Sequence, residues 1–291
     1  MFKKIGIISH PEIDRISLIV KIIEKLQDNT VKEVMASDLE IKESEITSMD
    51  VELAIILGGD GTILWSIKEL KCDPLLLCIK AGKVGYLTEL DVSDVENTLR
   101  GIDLLLEDKF MIDERSKLRV DGDADALNEV SIFPVLPASL LEFNVNAKIE
   151  GLVEELPNFR ADGVLVSTQT GSTAYSLSLG GSIIHPKTSA FILTPINAIG
   201  GLQKPLVVPD NAEISIKLER KDRDAYLLCD GIIVKKLHPP DEVTIKKSED
   251  VVIRGAKLKS LTYLNFCIGN NRTFGSPSIR SLSLRYSSFL S

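Results

Sequence analysis

The sequence has no surplus of positive charge. Among its 291 residues, 42 Asp and Glu outnumber 34 Lys and Arg, and the formal net charge is −8. Because proteins that bind nucleic acid usually carry a basic surplus for the phosphate backbone, this balance argues against a DNA or RNA partner. A polyphosphate ligand would instead need metal ions, backbone amides or a few local Lys and Arg side chains.

Cysteine and histidine are also scarce. The four cysteines are Cys72, Cys78, Cys229 and Cys267, and they form no C-x-x-C pair, which excludes the usual zinc and thioredoxin patterns. Three histidines are too few to favour a multi-histidine metal site. Reduced, buried thiols are the simplest state for these cysteines, so we expect a cytoplasmic protein.

Long apolar runs are missing too. No stretch approaches the ~20 apolar residues that a membrane helix needs, and the apolar start of the chain is too short for a signal peptide. The sequence therefore predicts no membrane attachment. A composition of 44% hydrophobic and 26% charged residues suits a soluble globular protein with a sizeable core.

The first third of the chain alternates strand and helix patterns, which is typical of a doubly wound α/β domain with a parallel sheet. We assign residues 1–104 to this domain. Predicted strands are 4–9, 51–57 and 75–79, and predicted helices are 13–26, 62–70 and 92–99. Thr62 is the predicted N-cap of the second helix.

From residue 105 to 268 the pattern changes to short strands separated by turns, which predicts a mostly β, sandwich-like domain. Only one helix, 172–179, is expected there. The tail, about 269–291, is considered as a segment that packs back on the first domain. Predicted strands are 117–120, 127–133, 141–149, 164–167, 190–193, 213–218, 225–228, 242–245 and 250–253.

The strongest local signal is Gly58-Gly59-Asp60-Gly61-Thr62, between an apolar strand and a helix. Ligands bind beyond the carboxyl ends of strands in open α/β sheets, and amides at a helix start favour phosphate. A carboxylate in such a loop makes sense if Asp60 holds Mg²⁺ or accepts a proton from an attacking hydroxyl. The alternative is a plain tight turn with Asp60 as a cap. The loop is neither a Walker A motif nor G-x-G-x-x-G, because Leu64 stands where the third glycine belongs.

Two further segments follow. The loop 82–86, Gly-Lys-Val-Gly-Tyr, follows the next strand and could face phosphates at the same edge, or simply connect a strand to a helix. Asn128-Glu129 lies on a predicted strand, where adjacent side chains face opposite sides. Such a pair can hydrogen-bond a ribose diol, or can mark a surface strand end.

A longer segment begins at Arg160-Ala161-Asp162-Gly163 and leads to a helix start rich in hydroxyls at 171–178. Such a start suits an anion or nucleotide, and Tyr175 could stack on an adenine. The alternative takes Ser172 and Thr173 as caps and Tyr175 as core. His185 is more simply structural than a base, and Asp230-Gly231 could be only a hairpin turn.

Taken together and in this order, the motifs resemble those of the NAD kinase family. The resemblance covers roughly residues 50 to 235. G-G-D-G alone is shared with diacylglycerol-type lipid kinases and phosphofructokinases, whereas the signature from Ala161 to Pro186 is far more specific. The matching segments are G-G-D-G-T at 58–62, G-x-x-G-[FY]-L at 82–87, N-E at 128–129, A-D-G at 161–163, T-G-S-T-A-Y-x-x-S at 170–178, G-G-x-I-x-H-P at 180–186, L-T-P-I at 193–196 and P-L-V-V-P at 205–209.

The resemblance implies that NAD lies between the two domains and that Asp60 is the catalytic carboxylate near the 2′-hydroxyl of the adenosine ribose. It implies NAD contacts from Asn128, Glu129, Asp162, Thr173, Ala174, Tyr175, Ser178, Arg160 and Asp230. Asn128 and Glu129 would hold the adenosine side, Thr173 to Tyr175 with Ser178 the adenine, and Asp162 the nicotinamide end. Gly58, Gly59, Gly61 and Thr62 would face the donor phosphates.

The donor would be ATP, another triphosphate or polyphosphate, with Mg²⁺ or another divalent metal held through its phosphates. The family is usually dimeric or tetrameric, so a homodimer or homotetramer is expected. One departure concerns the second glycine loop, where the family commonly has Asn as N-x-G and this chain has Lys80-Ala81-Gly82. A Lys could serve a phosphate directly. The rival readings are a lipid or sugar kinase that shares G-G-D-G, and an NAD(P)-binding regulator without catalysis.

Overall fold

The structure of the chain is a computed structural model. The structure describes residues 2–9, 16–27, 33–38, 46, 48–82, 85–121, 124–137, 139–219, 223–249 and 253–258. In these ranges the chain forms three β-sheets. No helix in these ranges is long and apolar enough to cross a membrane.

The first sheet has seven strands in the order β2-β1-β3-β4-β20-β6, with β5 beside β4. Its central strands are buried along nearly their whole length, as in a parallel sheet that is covered on both faces. The strands are β1 (Lys4–Ser9), β2 (Glu33–Asp38), β3 (Leu53–Gly58), β4 (Leu75–Lys80), β5 (Leu90–Asp91), β6 (Phe110–Arg115) and β20 (Ile253–Leu258). The helices are α1 (Ile16–Gln27), α2 (Asp60–Glu69) and α3 (Val95–Leu106).

Helix α2 begins two residues before its predicted start, so the prediction of Thr62 as its N-cap is wrong. Gly59 is the N-cap in an extended conformation, and Asp60 is the first helical residue. The glycine pair makes the turn by itself, which leaves Thr62 inside the first turn. Helix α3 begins later than predicted, because the Asp94 carboxylate caps it by accepting the amide of Asn97.

The second and third sheets pack face to face, since one buried apolar cluster takes its residues from both. The second sheet consists of β7 (Leu118–Val120), β8 (Ala124–Ala126), β10 (Leu141–Ile149), β11 (Leu152–Glu155), β12 (Phe159–Ala161), β16 (Glu213–Leu218) and β19 (Glu242–Lys247). The third consists of β9 (Glu129–Pro134), β13 (Gly163–Ser167), β14 (Ala190–Ile196), β15 (Leu206–Pro209), β17 (Ala225–Cys229) and β18 (Ile232–Leu237).

The fold class expected from the sequence, α/β followed by mostly β, is confirmed by this architecture. The predicted helix 172–179 is broken, because Ala174, with a backbone conformation outside the helical region, separates a 3-10 turn (Gly171–Thr173) from the short helix α4 (Tyr175–Ser178). The sequence patterns did not predict β2, whose polar ends leave only three apolar residues between them.

The boundary expected at residue 104 falls inside α3, and the first sheet continues beyond it. Strand β6 belongs to this sheet, and β20 returns to lie between β4 and β6, parallel to the first and antiparallel to the second. The strand expected at 250–253 begins at Ile253, and residues 250–252 lie outside the described ranges. The tail 269–291 and Cys267 also lie outside them.

Candidate functional site

The two glycine loops leave the first sheet side by side. Strands β3 and β4 are parallel neighbours, with Gly58 opposite Lys80, and the amide of Ala81 donates to the carbonyl of Gly58 at 3.1 Å. Residues 83 and 84 lie outside the described ranges. The shared edge is the carboxyl end of the strands, where open α/β sheets bind their ligands.

The carboxylate of Asp60 connects these loops. Its Oδ2 accepts the amide of Tyr86 at 3.1 Å, and its Oδ1 accepts the amide of Leu87 at 3.0 Å. These two hydrogen bonds tie the first helical residue of α2 to the second glycine loop. Burial, together with the negative charge of Asp60, raises the pKa of the Cys78 thiol to about 12, so this thiol stays neutral and unreactive.

Gly58 and Gly59 serve different purposes in the first loop. A Cβ at Gly58 would lie 2.4 Å from the Cβ of Thr62, so the glycine lets the Thr62 side chain pack over the end of β3. A Cβ at Gly59 would meet no described atom within 4 Å. Gly59 therefore leaves its backbone open to a ligand at the start of α2, where a helix favours negative charge.

Lys80, which stands where the family commonly has Asn, forms an ion pair at the end of β4. Its Nζ lies 2.7 Å from Oδ2 of Asp91, and its aliphatic part lies close to Gly85 in the second loop. Partial burial disfavours the charged Asp91 carboxylate, but hydrogen bonds from Lys80 and Ser93 outweigh it and lower the pKa of Asp91. The cation is thus held by Asp91 at the edge where the second glycine loop leaves the sheet.

The Asn128-Glu129 segment is held in place by Asp230. The Asp230 carboxylate accepts three backbone amides, from Leu127 at 2.8 Å, Asn128 at 2.7 Å and Glu129 at 3.1 Å. Asp230 has a positive φ of 48°, which turns its side chain back over this segment. Both carboxylate oxygens are therefore occupied by the protein itself.

Glu129 is buried at the start of β9, and its Oε2 has no hydrogen-bond partner among the described residues. Burial, with a smaller contribution from the charge of Asp230, raises the pKa of Glu129 to about 8. Glu129 is therefore protonated near pH 7, and a protonated carboxyl can donate a hydrogen bond as well as accept one.

The turn after β13 packs directly on the Asn128-Glu129 segment. Thr168 accounts for two contacts, because its amide donates to the carbonyl of Asn128 at 2.9 Å and its hydroxyl to the carbonyl of Leu127 at 2.5 Å. A Cβ at Gly171 would lie 2.0 Å from the Asn128 carbonyl oxygen. Only a glycine allows this approach, which explains why the turn carries one.

Beyond the turn, the aromatic residue predicted to bind adenine has a protein neighbour. The rings of Tyr175 and Phe133 stack with centroids 6.2 Å apart. The Thr173 hydroxyl donates to the carbonyl of Thr170 at 3.2 Å, and Ser178 is exposed. Ala174 lies between them, half-buried. These predicted adenine contacts therefore sit on one short segment.

The first sheet and the segment before Asn128 meet around a small cavity of about 40 Å³, lined by Ile63, Leu87 and Leu127 among others. These three residues belong to α2, the second glycine loop and the segment before Asn128. The structure thus brings together Asp60, the two glycine loops, the Asn128-Glu129 pair and the hydroxyl-rich turn, which were separate predictions.

Asp162 and Arg160 do not lie in this group. Asp162 precedes the five-residue strand β13 and Thr168 follows it, so the two are separated by about 20 Å at 3.3 Å per residue. Asp162 accepts the side-chain amide of Asn197 at 2.9 Å. Arg160 is exposed and pairs through its backbone with Ile199.

Sequence reasoning missed several residues around the site. Asp113 and Arg115 are buried on β6, in a stretch that no motif marks. Thr168 and Thr170 were not singled out either, although a run of hydroxyls before a glycine turn indicates backbone capping. Among the described residues, no three His, Cys, Asp or Glu side chains cluster as a metal site would require.

Two family models match this chain, the ATP-NAD kinase N-terminal domain over residues 17–109 and the ATP-NAD kinase C-terminal domain over residues 127–253. An NAD kinase of Methanothermobacter thermautotrophicus is 39% identical over 210 residues, which cover 70% of this chain and 71% of the relative. An NAD kinase of Methanosphaera stadtmanae is 34% identical over 259 residues, which cover 85% and 92%.

Among solved structures, an NAD kinase from Archaeoglobus fulgidus in complex with ATP has a TM-score of 0.70 and 25% identity, covering 90% of this chain and 95% of that one. The first family model contains both glycine loops, the second contains the Asn128-Glu129 segment and the turn after β13, and the relatives cover most of the chain. The chain belongs to the NAD kinase family.

Proposed function

We propose that Asp60 is the general base of this enzyme. Membership of the NAD kinase family makes the chain a phosphotransferase that acts on NAD. In the proposed step the adenosine-ribose 2′-oxygen attacks the terminal phosphorus of the donor, its proton passes to the Asp60 carboxylate, and the nucleoside diphosphate leaves. The observation that carries this proposal is the position of Asp60, between two glycine loops at the carboxyl edge of the first sheet.

The amides of Tyr86 and Leu87 fix the direction of the base. Since each Asp60 oxygen accepts one of these amides, the carboxylate is held in one orientation. Positioning of this kind supplies much of the catalysis in phosphoryl transfer, which asks little covalent chemistry of the protein. A positioned base contributes about 10²–10⁴-fold.

The acceptor is proposed to lie along the turn after β13. Thr173, Ala174, Tyr175 and Ser178 would contact the adenine, and Asn128 with Glu129 the adenosine ribose. A neutral Glu129 suits this role, because a protonated carboxyl can pair with a ribose hydroxyl as donor or acceptor. The proposed adenine and ribose contacts are supported by the closeness of the two segments, because Gly171 lets the turn contact the backbone of Asn128.

The donor phosphates are proposed to lie over Gly58, Gly59, Gly61 and Thr62, with Lys80 beside them. The open backbone at Gly59 and the start of α2 support this placement. A divalent metal, Mg²⁺ in the simplest case, would enter with the donor and neutralise phosphate charge. Asp60 supplies carboxylate oxygens of the kind that Mg²⁺ prefers, and among the described residues no three His, Cys, Asp or Glu side chains cluster to bind a metal without the donor.

The other predicted NAD contacts have less direct roles. Asp162 and Arg160 lie at the far end of β13, which suits the nicotinamide end of an extended dinucleotide. Asp230, whose oxygens accept three amides, is proposed to act on NAD through the Asn128-Glu129 segment rather than by direct contact.

NADP formation from NAD, ATP and Mg²⁺, measured with an NADP-specific dehydrogenase, tests this proposal. Asp60→Asn should lose about 10²–10⁴-fold in kcat while retaining NAD affinity by calorimetry. Asp50→Asn is the matched control, because the Asp50 side chain is exposed and lies before β3, and this variant should keep full activity. An active Asp60→Asn enzyme would exclude Asp60 as the base. A wild type that binds NAD and yields no NADP would point to a polyphosphate donor first.

A homodimer or homotetramer in the cytoplasm completes the proposal. The edge strand β18 exposes Ile232, Ile233 and Val234, an apolar row that a second subunit could cover. The described cysteines are free thiols, as expected for a reducing compartment. Light scattering after size-exclusion chromatography would give the subunit number, and a monomer would contradict this part.

A further inference from the structure

A buried ion pair contacts the turn after β13, residues 168–178, which we call the acceptor turn. Asp113 and Arg115 sit two residues apart on β6, so both side chains point to the same face of the strand. Both Nε and Nη2 of Arg115 lie close to Oδ2 of Asp113, at 2.8 and 2.7 Å, and both side chains are more than nine-tenths buried. Burying two charges is costly in solvation, so such a pair is weak evidence for stability alone.

The remaining arm of the guanidinium reaches from the first sheet to the third. Nη1 of Arg115 donates to the hydroxyl of Thr170 at 3.4 Å, and Thr170 is itself buried. The carbonyl of Thr170 then accepts the hydroxyl of Thr173 at 3.2 Å. Arg115 is therefore connected through two hydrogen bonds to a residue proposed to contact adenine.

A second cation approaches the pair from the segment that follows the His185-Pro186 motif. Lys187, which directly follows His185-Pro186, places its Nζ 3.7 Å from Oδ1 of Asp113. That oxygen is buried and has no hydrogen-bond partner among the described residues. Asp113 thus faces Arg115 on its own strand and Lys187 from the segment after the acceptor turn.

The pair also borders the cavity where the two halves of the site meet. Asp113 and Arg115 line it together with Leu87, whose amide binds Asp60, and Leu127, which precedes Asn128. A shift of Arg115 would therefore move the acceptor turn, through Thr170, and change the wall of this shared cavity.

We propose that Arg115, held by Asp113, is a positioning residue that fixes the acceptor turn through Thr170 and thereby sets the affinity for NAD. This inference rests on the proposed placement of NAD along residues 173–178. It assigns Arg115 no contact with the reacting atoms, so the affinity for NAD should depend on it and the rate of the chemical step should not.

The experiment compares Thr170→Val, Thr170→Ser and Arg115→Lys with the wild type. Thr170→Val keeps the shape and removes the acceptor without touching the buried pair. Arg115→Lys keeps the positive charge next to Asp113 but removes Nη1, the guanidinium nitrogen that donates to the hydroxyl of Thr170. Thr244→Val, on β19 of the second sheet, is the matched control for the same substitution elsewhere.

NAD affinity is measured by calorimetry without donor, and KM and kcat by NADP formation. Thr170→Val and Arg115→Lys should each weaken NAD binding by about five- to tenfold, the size expected for the loss of one hydrogen bond of ordinary strength, with kcat within about twofold. Thr170→Ser should restore wild-type affinity. The Arg115→Lys, Thr170→Val double variant should be no weaker than the single variants, because both remove one link.

Other outcomes would overturn the inference. Wild-type NAD affinity in Thr170→Val, additive losses in the double variant, or a fall in kcat at unchanged affinity would each show that the link does not set NAD binding. The underlying function fails separately, through a wild type that binds NAD but forms no NADP with any donor. Because affinity is measured without donor, the two failures are distinguishable.

Discussion

Asp230 and Glu129 are joined by two hydrogen bonds, one between their backbones and one from the Glu129 backbone to the Asp230 side chain. The amide of Asp230 donates to the carbonyl of Glu129 at 3.0 Å, and the amide of Glu129 donates to Oδ1 of Asp230 at 3.1 Å. This exchange places two carboxyl groups next to each other in a buried place. One is occupied by three amides, whereas the other keeps an oxygen without a described partner. Asp230 therefore has a structural role, whereas Glu129 keeps an oxygen with which it can bind a ligand.

Asp230→Asn should loosen the Asn128-Glu129 segment. An amide nitrogen cannot accept a hydrogen bond, so at least one of the three backbone amides loses its partner, at a cost of about 1–3 kcal/mol. Asn tolerates the positive φ of this position, so the backbone itself is not strained. We expect a lower free energy of unfolding in urea and a higher KM for NAD.

Asp121→Asn is the matched control for this change. Asp121 also has a positive φ, 47°, but its carboxylate accepts a single amide, from Thr244, at an exposed position. It should lose less stability than Asp230→Asn and leave the KM for NAD unchanged. Equal effects of the two substitutions would show that the three amide contacts of Asp230 contribute no more to stability or NAD binding than the single contact of Asp121.

Glu129→Gln should change how stability depends on pH. The unfolded carboxyl titrates near 4.5 and the folded one near 8, so between these values the folded state holds a proton that the unfolded state has lost. Wild-type stability therefore falls as pH rises through this interval and becomes level above it. Gln carries no such proton, so the variant should gain relative to the wild type as pH rises, by on the order of a few kcal/mol in total.

Urea unfolding of both proteins at pH 5, 7 and 9 measures this difference. Glu154→Gln, on an exposed side chain of β11, is the control and should follow the wild type at every pH. A constant offset between Glu129→Gln and the wild type from pH 5 to 9 would mean that Glu129 ionises normally in the folded protein.

Lys80 and Asp91 offer a test of donor binding with two opposite substitutions. If Lys80 contacts the donor phosphates, Lys80→Met should raise the KM for ATP several-fold. Asp91→Asn should lower it, because the ion pair at 2.7 Å competes with the phosphates for the same cation. The KM for NAD should change little in both. Effects of the same sign would indicate that the ion pair only braces the end of β4.

The sequence was most informative where chemistry and secondary structure depend on neighbouring residues. Strand β1 and the glycine turn before α2 could be located because apolar runs and glycines act locally. Asp60 was singled out because a carboxylate in a phosphate loop is unusual. The strand order was not accessible in the same way, since β20 inserts between β4 and β6 from more than a hundred residues away.

The same limit applies inside the site. The Asp230-Gly231 turn gave no sign that its carboxylate would accept amides about a hundred residues earlier. Arg115 stood in a stretch that neither a predicted strand nor a motif marked, and its burial and its contact with Thr170 follow from tertiary packing. Such residues depend on tertiary contacts, which periodicity and motifs do not encode.

Gly171→Ala should disturb the acceptor turn more than its small size suggests. The added methyl group would lie 2.0 Å from the carbonyl oxygen and 2.5 Å from the carbonyl carbon of Asn128. Both are backbone atoms, so no side chain can rotate away and the two segments must separate. Overpacking of this kind costs about 1–3 kcal/mol, and the shift should weaken NAD binding because Asn128 and the turn move apart.

Gly255→Ala isolates this effect, because the same methyl on β20 would meet a backbone oxygen of Asp113 at 3.6 Å, an ordinary contact. Thermal unfolding and NAD calorimetry should show a clear loss of both stability and affinity for Gly171→Ala and only a small change for Gly255→Ala. If Gly171→Ala lost stability but bound NAD normally, the contact between the turn and Asn128 would be a matter of folding, and the ribose would have to be held elsewhere.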